Sequence, residues 1–173
     1  MRAHLWRVKL IIHLLRHAKA IPRQEGVEED HRYLTTEGRK RFYEKAARLR
    51  KERLQPAVIV SSPLVRSVQT AEILASVLRF DGPLPISPLL APGFTSEQLA
   101  QLLTDYAACR SLVLVGHEPD LSLLVATLLD IRTPFSLKKG DLVTLEIDAD
   151  RTATFLWRTL RGKVVRTPPG EDE

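Results

Sequence analysis

The sequence lacks the features that define several large classes of protein. It contains a single cysteine, Cys109, so neither an internal disulfide nor a Cys-x-x-Cys metal site can form. No stretch approaches the roughly 20 apolar residues that a membrane-spanning helix needs. Aromatic residues make up 6% of the chain, and no zinc finger or aromatic RNA-binding motif is present. A Gly-x-x-x-x-Gly-Lys loop and an aspartate pair for Mg²⁺ are also missing, so we expect no metal and no cofactor.

The remaining composition is typical of a globular domain. Of the 173 residues, 44% are hydrophobic and 27% are charged. We therefore expect one domain over residues 1–166 and a disordered tail over residues 167–173. Residues 1–9 are basic but contain no apolar core of a signal peptide, so a cytoplasmic location without a membrane partner is expected.

The charge balance indicates anionic partners. The formal net charge is +5 and the sequence pI is about 9.6, which favours phosphate-bearing small molecules or acidic protein surfaces. Nucleic acid is the less favoured alternative, because the basic residues are scattered and aromatic residues for base stacking are few.

Short apolar runs alternate with amphipathic helices along most of the chain. Strands are predicted at residues 10–15, 57–60 and 112–115, and helices at 37–54, from 63 onwards, at 96–108 and at 121–129. Two alternating segments, residues 142–147 and 152–157, predict a hairpin with one exposed face. The pattern predicts an α/β fold, a three-layer α/β/α sandwich whose mainly parallel sheet carries an antiparallel C-terminal edge hairpin.

Cap signals mark the starts of three of these helices. Thr35 or Thr36 can cap the first, and Ser62 is placed to cap the helix that begins at Pro63. Thr95 and the glutamine three residues later have the spacing of a capping box.

Basic side chains follow the three predicted parallel strands, where helices begin. Arg16 and His17 follow the first strand. Arg66 lies in the first turn of the helix after the second strand, and His117 follows the third. The carboxyl ends of parallel strands share one edge of a sheet, so we expect these four side chains to meet. For Arg16 and His17 alone, the alternative is that they mark the point where a strand reaches the surface.

Two imidazoles and two guanidiniums form a pocket suited to a tetrahedral oxyanion. Guanidinium groups match phosphate oxygens in geometry and keep their charge near neutral pH. Because no metal-binding motif accompanies them, phosphoryl chemistry at this site needs an imidazole as nucleophile. The guanidiniums would then stabilise the transferring charge.

Three motifs, in this order, resemble the histidine phosphatase superfamily, which also contains the cofactor-dependent phosphoglycerate mutases. They are Arg16-His17 after a strand, Ser62-Pro63-Leu64-x-Arg66-x-x-Gln69-Thr70-Ala71, and Gly116-His117 after a later strand. The short form is most similar to the SixA-type phosphohistidine phosphatases. Three stretches carry this similarity, namely Arg32-x-Leu34-Thr35-x-x-Gly38, Gly116-His117-Glu118-Pro119-Asp120 and Leu137-Lys138-Lys139-Gly140. The usual glycine after the first histidine is Ala18 here, which costs only backbone freedom.

The resemblance implies a role for each matched residue. His17 becomes phosphorylated as the nucleophile. The residues that bind the phosphoryl group and stabilise its charge are Arg16, Arg66 and His117. The neighbouring guanidiniums should lower the pKa of His17, because they disfavour an imidazolium.

Two further residues are candidate substrate contacts. Arg32 can reach the rim of the pocket, with a solvated loop arginine as the alternative. Glu118 is adjacent to His117, with a carboxylate that meets a helix dipole as the alternative.

The implied activity is that of a metal-independent hydrolase of the histidine acid phosphatase type, which removes phosphate from phosphohistidine on a protein. The first alternative is a phosphomonoesterase acting on small phosphorylated metabolites. The second is a module that binds phosphate or nucleic acid without turnover. Secondary structure uses up the segment between Arg66 and His117, so no lid is expected and the pocket should admit a side chain of another protein.

Overall fold

A six-stranded mixed sheet with the first strand near its centre organises the fold. The computed structural model describes residues 9–170. The strands are β1 (Leu10–Arg16), β2 (Val58–Ser61), β3 (Ser111–Gly116), β4 (Leu142–Ile147), β5 (Ala153–Leu160) and β6 (Lys163–Val165). Their order across the sheet is β2-β3-β1-β4-β5-β6.

This sheet confirms the predicted α/β class. Strands β1, β2 and β3 are parallel, and β4, β5 and β6 each run antiparallel to the strand before them in the sheet. The predicted hairpin forms from β4 and β5, but β4 pairs directly with β1 and the additional strand β6 becomes the edge. Strand β6 has only three residues, which are too few for an alternating pattern to predict a strand.

Helices cover both faces of the sheet. Within residues 9–170 the α-helices are α1 (Thr36–Lys51), α2 (Val65–Leu78), α3 (Ser96–Asp105) and α4 (Asp120–Leu129). Leu15 lies in one buried cluster with Phe42 of α1 and Leu74 of α2, whereas Leu14 lies in the other with Leu121 of α4. Successive strand residues thus face opposite helical layers, which explains the nearly continuous apolar runs of β1 and β3.

The start of α1 is fixed by its cap and by a glycine. The hydroxyl of Thr35 accepts a hydrogen bond from the N–H of Gly38 at 2.9 Å, as one of the two predicted caps requires. A Cβ on Gly38 would lie 2.1 Å from the carbonyl oxygen of Lys19, so only glycine permits this close approach. The contact places the start of α1 beside the segment that follows β1.

The other helix limits differ in part from the predicted ones. The capping box of Thr95 is present at α3. The prediction that Ser62 caps α2 is wrong, because α2 begins at Val65 and has no side-chain cap. Helices α1 and α3 end three residues before their predicted limits, and after α1 the chain turns through Arg53 with a φ of 58°.

The two chain ends are described only in part. Residues 1–8 and 171–173 lie outside the described residues, and with them most of the segment considered for a signal peptide and the end of the predicted tail. The carbonyl of Thr167 accepts a hydrogen bond from Nε of Arg158 at 3.1 Å. The domain limit at residue 166 stays a prediction. No helix within residues 9–170 has the length and apolar character to cross a membrane.

Candidate active site

The four residues predicted to meet lie at one end of the parallel strands. Arg16 ends β1 and His17 follows it, Arg66 lies in the first turn of α2, and His117 follows β3. Nε of Arg66 is 3.3 Å from Nε2 of His17, and the ring centroids of His17 and His117 are 5.3 Å apart. His17 is buried but keeps 8% of its surface exposed. One phosphoryl group is small enough to be shared by these side chains.

The hydrogen bonds of His17 determine which ring nitrogen can react. Nδ1 lies 2.7 Å from the carbonyl oxygen of Ala18. A carbonyl oxygen only accepts, so Nδ1 carries the ring hydrogen and Nε2 carries the lone pair. Nε2 accepts the Nε–H of Arg66. Nε2 is therefore the atom that can attack phosphorus.

Burial keeps His17 neutral. Its pKa is lowered from 6.5 to about 3, chiefly because desolvation penalises the imidazolium. The hydrogen bond to Ala18 opposes this pKa shift, while the neighbouring His117 and the two guanidiniums add to it. The direction is the expected one, but burial rather than the guanidiniums is the main cause. The lone pair on Nε2 is consequently free of a proton at neutral pH.

His117 is oriented by Ser62. Its Nε2 lies 2.7 Å from Oγ of Ser62, which in turn accepts the N–H of Leu64 at 3.3 Å. When the hydroxyl of Ser62 donates to Nε2, Nδ1 of His117 carries the ring hydrogen and can donate to a bound anion. Desolvation lowers the pKa of His117 to about 4, so the ring is a neutral donor at pH 7.

Two buried donors at this end of the sheet have no protein partner. Nδ1 of His117 and Nε of Arg16 are buried and form no hydrogen bond with any described residue. Arg16 is held instead through Nη1, which donates to the carbonyl of Leu137 at 2.6 Å. An unpaired buried donor costs about 1–3 kcal/mol, so two together favour a site that an anion completes.

An acidic residue outside the sequence motifs lies against Arg66. Oε1 of Glu29 accepts a hydrogen bond from Nη2 of Arg66 at 2.9 Å, and its backbone carbonyl accepts one from Nη1 at 2.7 Å. The same carboxylate accepts hydrogen bonds from Arg23 and Arg32. Desolvation opposes its ionisation, but the hydrogen bond from Arg23 and the charges of Arg32 and Arg66 outweigh it and lower the pKa of Glu29. Glu29 thus pairs with the guanidinium of Arg66, which is expected to bind phosphoryl oxygens.

Glu29 belongs to a segment that was not expected to reach the site. The expectation of an uncovered pocket considered only residues 66–117, whereas Glu29 reaches in from the loop between β1 and α1. An isolated bridge between Ala20 and Leu34 ties the ends of this loop together. The N–H of Leu34 also donates to Oε1 of Gln69 on α2 at 2.8 Å. The loop is therefore anchored against α2, with Glu29 beside Arg66.

Arg32 belongs to the network around Glu29. Its Nε donates to the carbonyl of Ile21 at 2.9 Å, and its Nη1 donates to Oε1 of Glu29 at 2.8 Å. The side chain is half-buried. The structure thus brings Arg32 to the same carboxylate as Arg66, and its contact with substrate stays a prediction.

Glu118 lies beside His117 with one carboxylate oxygen occupied. Oε2 accepts hydrogen bonds from Ser122 at 2.6 Å and Ser136 at 3.2 Å, whereas Oε1 is buried without a partner among the described residues. Burial raises the pKa of Glu118, although these hydrogen bonds and the charge of Arg16 oppose the shift. Ser122 lies in the first turn of α4, so the helix-start alternative also remains open.

Ser62 and Glu29 are the parts of this arrangement that the sequence did not reveal. Ser62 stands within a quoted motif, but the Ser-Pro pair is equally typical of a helix cap. Glu29 lies in an acidic stretch, and nothing local separates it from Glu28 or Asp30. The three-residue spacing from Glu29 to Arg32 was the available signal, since it suits an ion pair on one helical turn.

Comparisons with known proteins identify the family of the chain. A sequence profile of the histidine phosphatase superfamily (branch 1) matches residues 12–90. An uncharacterized protein of Picosynechococcus sp. is 35% identical over 143 residues, which cover 81% of this chain and 87% of that protein. The phosphohistidine phosphatase SixA of Escherichia coli is 25% identical over 151 residues, which cover 85% of this chain and 91% of that protein.

Solved structures share the fold. The protein histidine phosphatase SixA complexed with tungstate matches with a TM-score of 0.78 and 22% identity, covering 87% of this chain and 96% of that one. The α-ribazole phosphatase of Shigella flexneri matches with a TM-score of 0.66 and 18% identity, covering 91% and 96%. Fold and site together define an α/β protein that gathers two imidazoles and two guanidiniums at one end of its parallel strands. The chain belongs to the histidine phosphatase superfamily.

Proposed function

We propose that the protein hydrolyses phosphohistidine on another protein, through a phosphohistidine intermediate on His17. The observation that carries the proposal is the neutral Nε2 of His17 beside Nε of Arg66, with unpartnered donors on Arg16 and His117. The Escherichia coli relative, a phosphohistidine phosphatase at 25% identity, supports phosphohistidine as the substrate.

The reaction proceeds in two displacements at phosphorus. In the first, Nε2 of His17 attacks, the P–N bond to the substrate imidazole breaks, and the electron pair leaves with that imidazole. The ring departs as a neutral imidazole once its other nitrogen has taken a proton from solvent. In the second, a water oxygen attacks phosphorus on phospho-His17 and Nε2 recovers its electron pair. The protons of the water leave with phosphate and solvent.

Guanidinium groups supply the charge stabilisation. Charge builds up on the phosphoryl oxygens during transfer, and preorganised cationic donors lower the energy of that state. Arg66 and Arg16 are held by backbone carbonyls at 2.7 and 2.6 Å, which fixes their positions before substrate arrives. Within residues 9–170 no group of three or more His, Cys, Asp or Glu side chains is placed to hold a metal ion.

A small phosphate ester is the second candidate substrate, and Glu118 is the observation that favours it. An ester leaves as an alkoxide and benefits more from a general acid than an imidazole does. Glu118 directly follows His117, and its raised pKa helps it to hold a proton for such a leaving group. The name of the α-ribazole phosphatase, at 18% identity, supports the same alternative.

The two candidates differ in measurable selectivity. We expect kcat/KM for a phosphohistidine peptide to exceed that for sugar phosphates and phosphoglycerates by about tenfold or more. A preference of that size for an alkyl ester would instead establish the second candidate. A labelled phosphodonor should place an acid-labile, base-stable label on His17. Absence of both label and turnover would identify a module that only binds phosphate.

A further inference from the structure

A basic cavity lies beside the segment that follows the candidate nucleophile. Its volume is about 240 Å³, and its lining includes Ala18, the residue after His17. Five cationic side chains also line it, namely Lys19, Arg41, Lys45, Lys138 and Lys139. This concentration of positive charge is larger than the phosphoryl pocket itself provides.

Two of these cations are not neutralised. The ion pairs at the cavity are Lys19–Glu37, Arg41–Glu37 and Lys45–Asp141. The ammonium groups of Lys138 and Lys139 form no ion pair with any residue in the range 9–170. Both side chains are exposed. An exposed pair of unneutralised lysines faces outward, toward a surface that approaches the protein rather than toward an enclosed ligand.

The backbone holds this lysine pair beside the phosphoryl pocket. The N–H of Gly140 lies 3.1 Å from the carbonyl of Arg16 and 3.2 Å from that of His17. The N–H of Arg16 donates in turn to the carbonyl of Asp141 at 3.0 Å. The segment that carries the two lysines is therefore hydrogen-bonded to the last residue of β1 and to His17, so the two lysines lie close in the chain to the candidate nucleophile.

The two lysines differ from the guanidiniums around Glu29 in their partners. Arg23, Arg32 and Arg66 each form an ion pair with Glu29. Lys138 and Lys139 form none with the described residues, and desolvation together with the positive charges of Arg16, Lys19 and Arg32 lowers the pKa of Lys139. An approaching acidic surface therefore gains an ion pair at these lysines without breaking an existing one.

We propose that Lys138 and Lys139 bind carboxylate side chains that flank the phosphohistidine of the protein substrate. This docking role rests on the proposed function, and it narrows the substrate to a phosphohistidine in an acidic sequence or surface. Electrostatic complementarity of this kind orients a partner and accelerates its encounter. The cavity behind the lysines gives an aspartate or glutamate side chain room to enter.

Two peptides test the proposal. Each carries one phosphohistidine, flanked in the first by aspartates and glutamates and in the second by serines and asparagines. The wild-type protein should prefer the acidic peptide by about tenfold in kcat/KM, since each exposed ion pair contributes a factor of about two to five. In the double variant Lys138→Ala, Lys139→Ala this preference should fall to about twofold or less, and added salt should reduce it in the wild type.

A matched double variant controls for net charge. Lys51→Ala with Lys163→Ala removes the same charge at the C-terminal end of α1 and on β6, both away from the start of α1 that borders the cavity. This control should keep the wild-type preference.

Equal kcat/KM for both peptides in the wild type, or a preference that survives in the Lys138, Lys139 variant, would overturn the docking role while the proposed function stands. If sugar phosphates are hydrolysed and neither peptide is, both the docking role and the proposed function are overturned. A small bisphosphate favoured over both peptides, and lost in the variant, would assign the lysines to a metabolite and overturn the protein-docking role.

Discussion

Strand β1 carries one buried histidine in its middle and another just past its carboxyl end. His13, in the middle, has Nδ1 2.8 Å from Oγ1 of Thr144 and Nε2 3.2 Å from Oγ of Ser111. Its ring also packs against Trp157, with the centroids 5.9 Å apart. Both ring nitrogens of His13 are therefore satisfied by hydroxyls of the neighbouring strands, and no atom is left for a ligand.

His17 has the same low pKa but different partners. Burial is the main cause that lowers the pKa of both histidines to about 3. At the carboxyl end, however, Nε2 of His17 meets the Nε–H of Arg66, and unpartnered donors lie on Arg16 and His117. A shifted pKa thus reports burial at both positions, whereas the partners of the ring nitrogens separate a structural histidine from a reactive one.

The largest expected difference between the two positions appears when each ring is removed. His17→Ala deletes the attacking nitrogen, so kcat on a phosphohistidine peptide should fall by more than about 10⁴-fold and no label should form. His13→Gln is the control on the same strand. It should keep the label, because both nitrogens of His13 bond to hydroxyls within the sheet. Labelling of the His17→Ala protein would show that another residue is the nucleophile.

Loss of Arg66 should have the next largest effect. Arg66→Ala keeps Nε2 of His17 but removes a donor that stabilises the transferring charge, so kcat should fall by about 10²–10³-fold. Arg66→Lys restores the charge without the planar donor geometry and should recover only part of the rate. Single-turnover kinetics of the labelled protein would measure both variants. A decrease in kcat of less than about fivefold in Arg66→Ala would show that Arg66 does not stabilise the transferring charge.

Acid should destabilise the protein through His13. The folded-state pKa of His13 is about 3, below the value of about 6.5 in an unfolded chain. Between these values the unfolded chain binds a proton that the folded protein excludes, so stability falls as the pH drops from about 6.5 toward 3. His13→Gln removes one such group. The unfolding free energy of this variant should therefore depend less on pH in that window, by up to about 1.4 kcal/mol per pH unit.

Urea unfolding at several pH values would measure this slope. His17 and His117 contribute with the same sign, since the pKa of each is also lowered, but they remain in both proteins and cancel in the comparison. An NMR titration would supply the individual pKa values. Equal dependence of the unfolding free energy on pH in the wild type and His13→Gln would show that His13 can be protonated in the folded protein. A pKa of His13 near 6.5 would show the same.

The carboxyl end of β1 could be predicted because local patterns determine it. Apolar runs give the strands, and the parallel topology then brings Arg16, His17 and His117 to one edge. The sequence also predicts His13 as a satisfied core residue of the first strand, but not its partners, which lie on strands 98 and 131 positions away in sequence. Only the sheet register brings those hydroxyls to the ring.

Glu29 could not be predicted for a related reason. Its ion pair with Arg66 joins an irregular loop to a helix 37 positions later, and no periodic pattern links the two. The same limit applies to the cause of the low pKa of His17, because the depth of burial is a property of the packed layers and not of neighbouring residues in sequence. Residue identities therefore predicted the donors at the site, while the anion that pairs with them depended on the tertiary structure.

The smallest expected effect is a change in phosphate affinity caused by the carboxylate of Glu29. No such carboxylate is among the described partners of His13. Glu29→Gln removes a negative charge 2.9 Å from Arg66, while the backbone carbonyl of residue 29 still holds Nη1 at 2.7 Å. Phosphate should then bind more tightly, by about two- to fivefold, because the partly exposed ion pair is screened by solvent. Competitive inhibition by inorganic phosphate measures the change. Glu28→Gln is the matched control, since its carboxylate lies near His31 at 3.7 Å and not on Arg66. Weaker phosphate binding in Glu29→Gln alone would mean that Glu29 positions Arg66 for phosphate instead of competing with it.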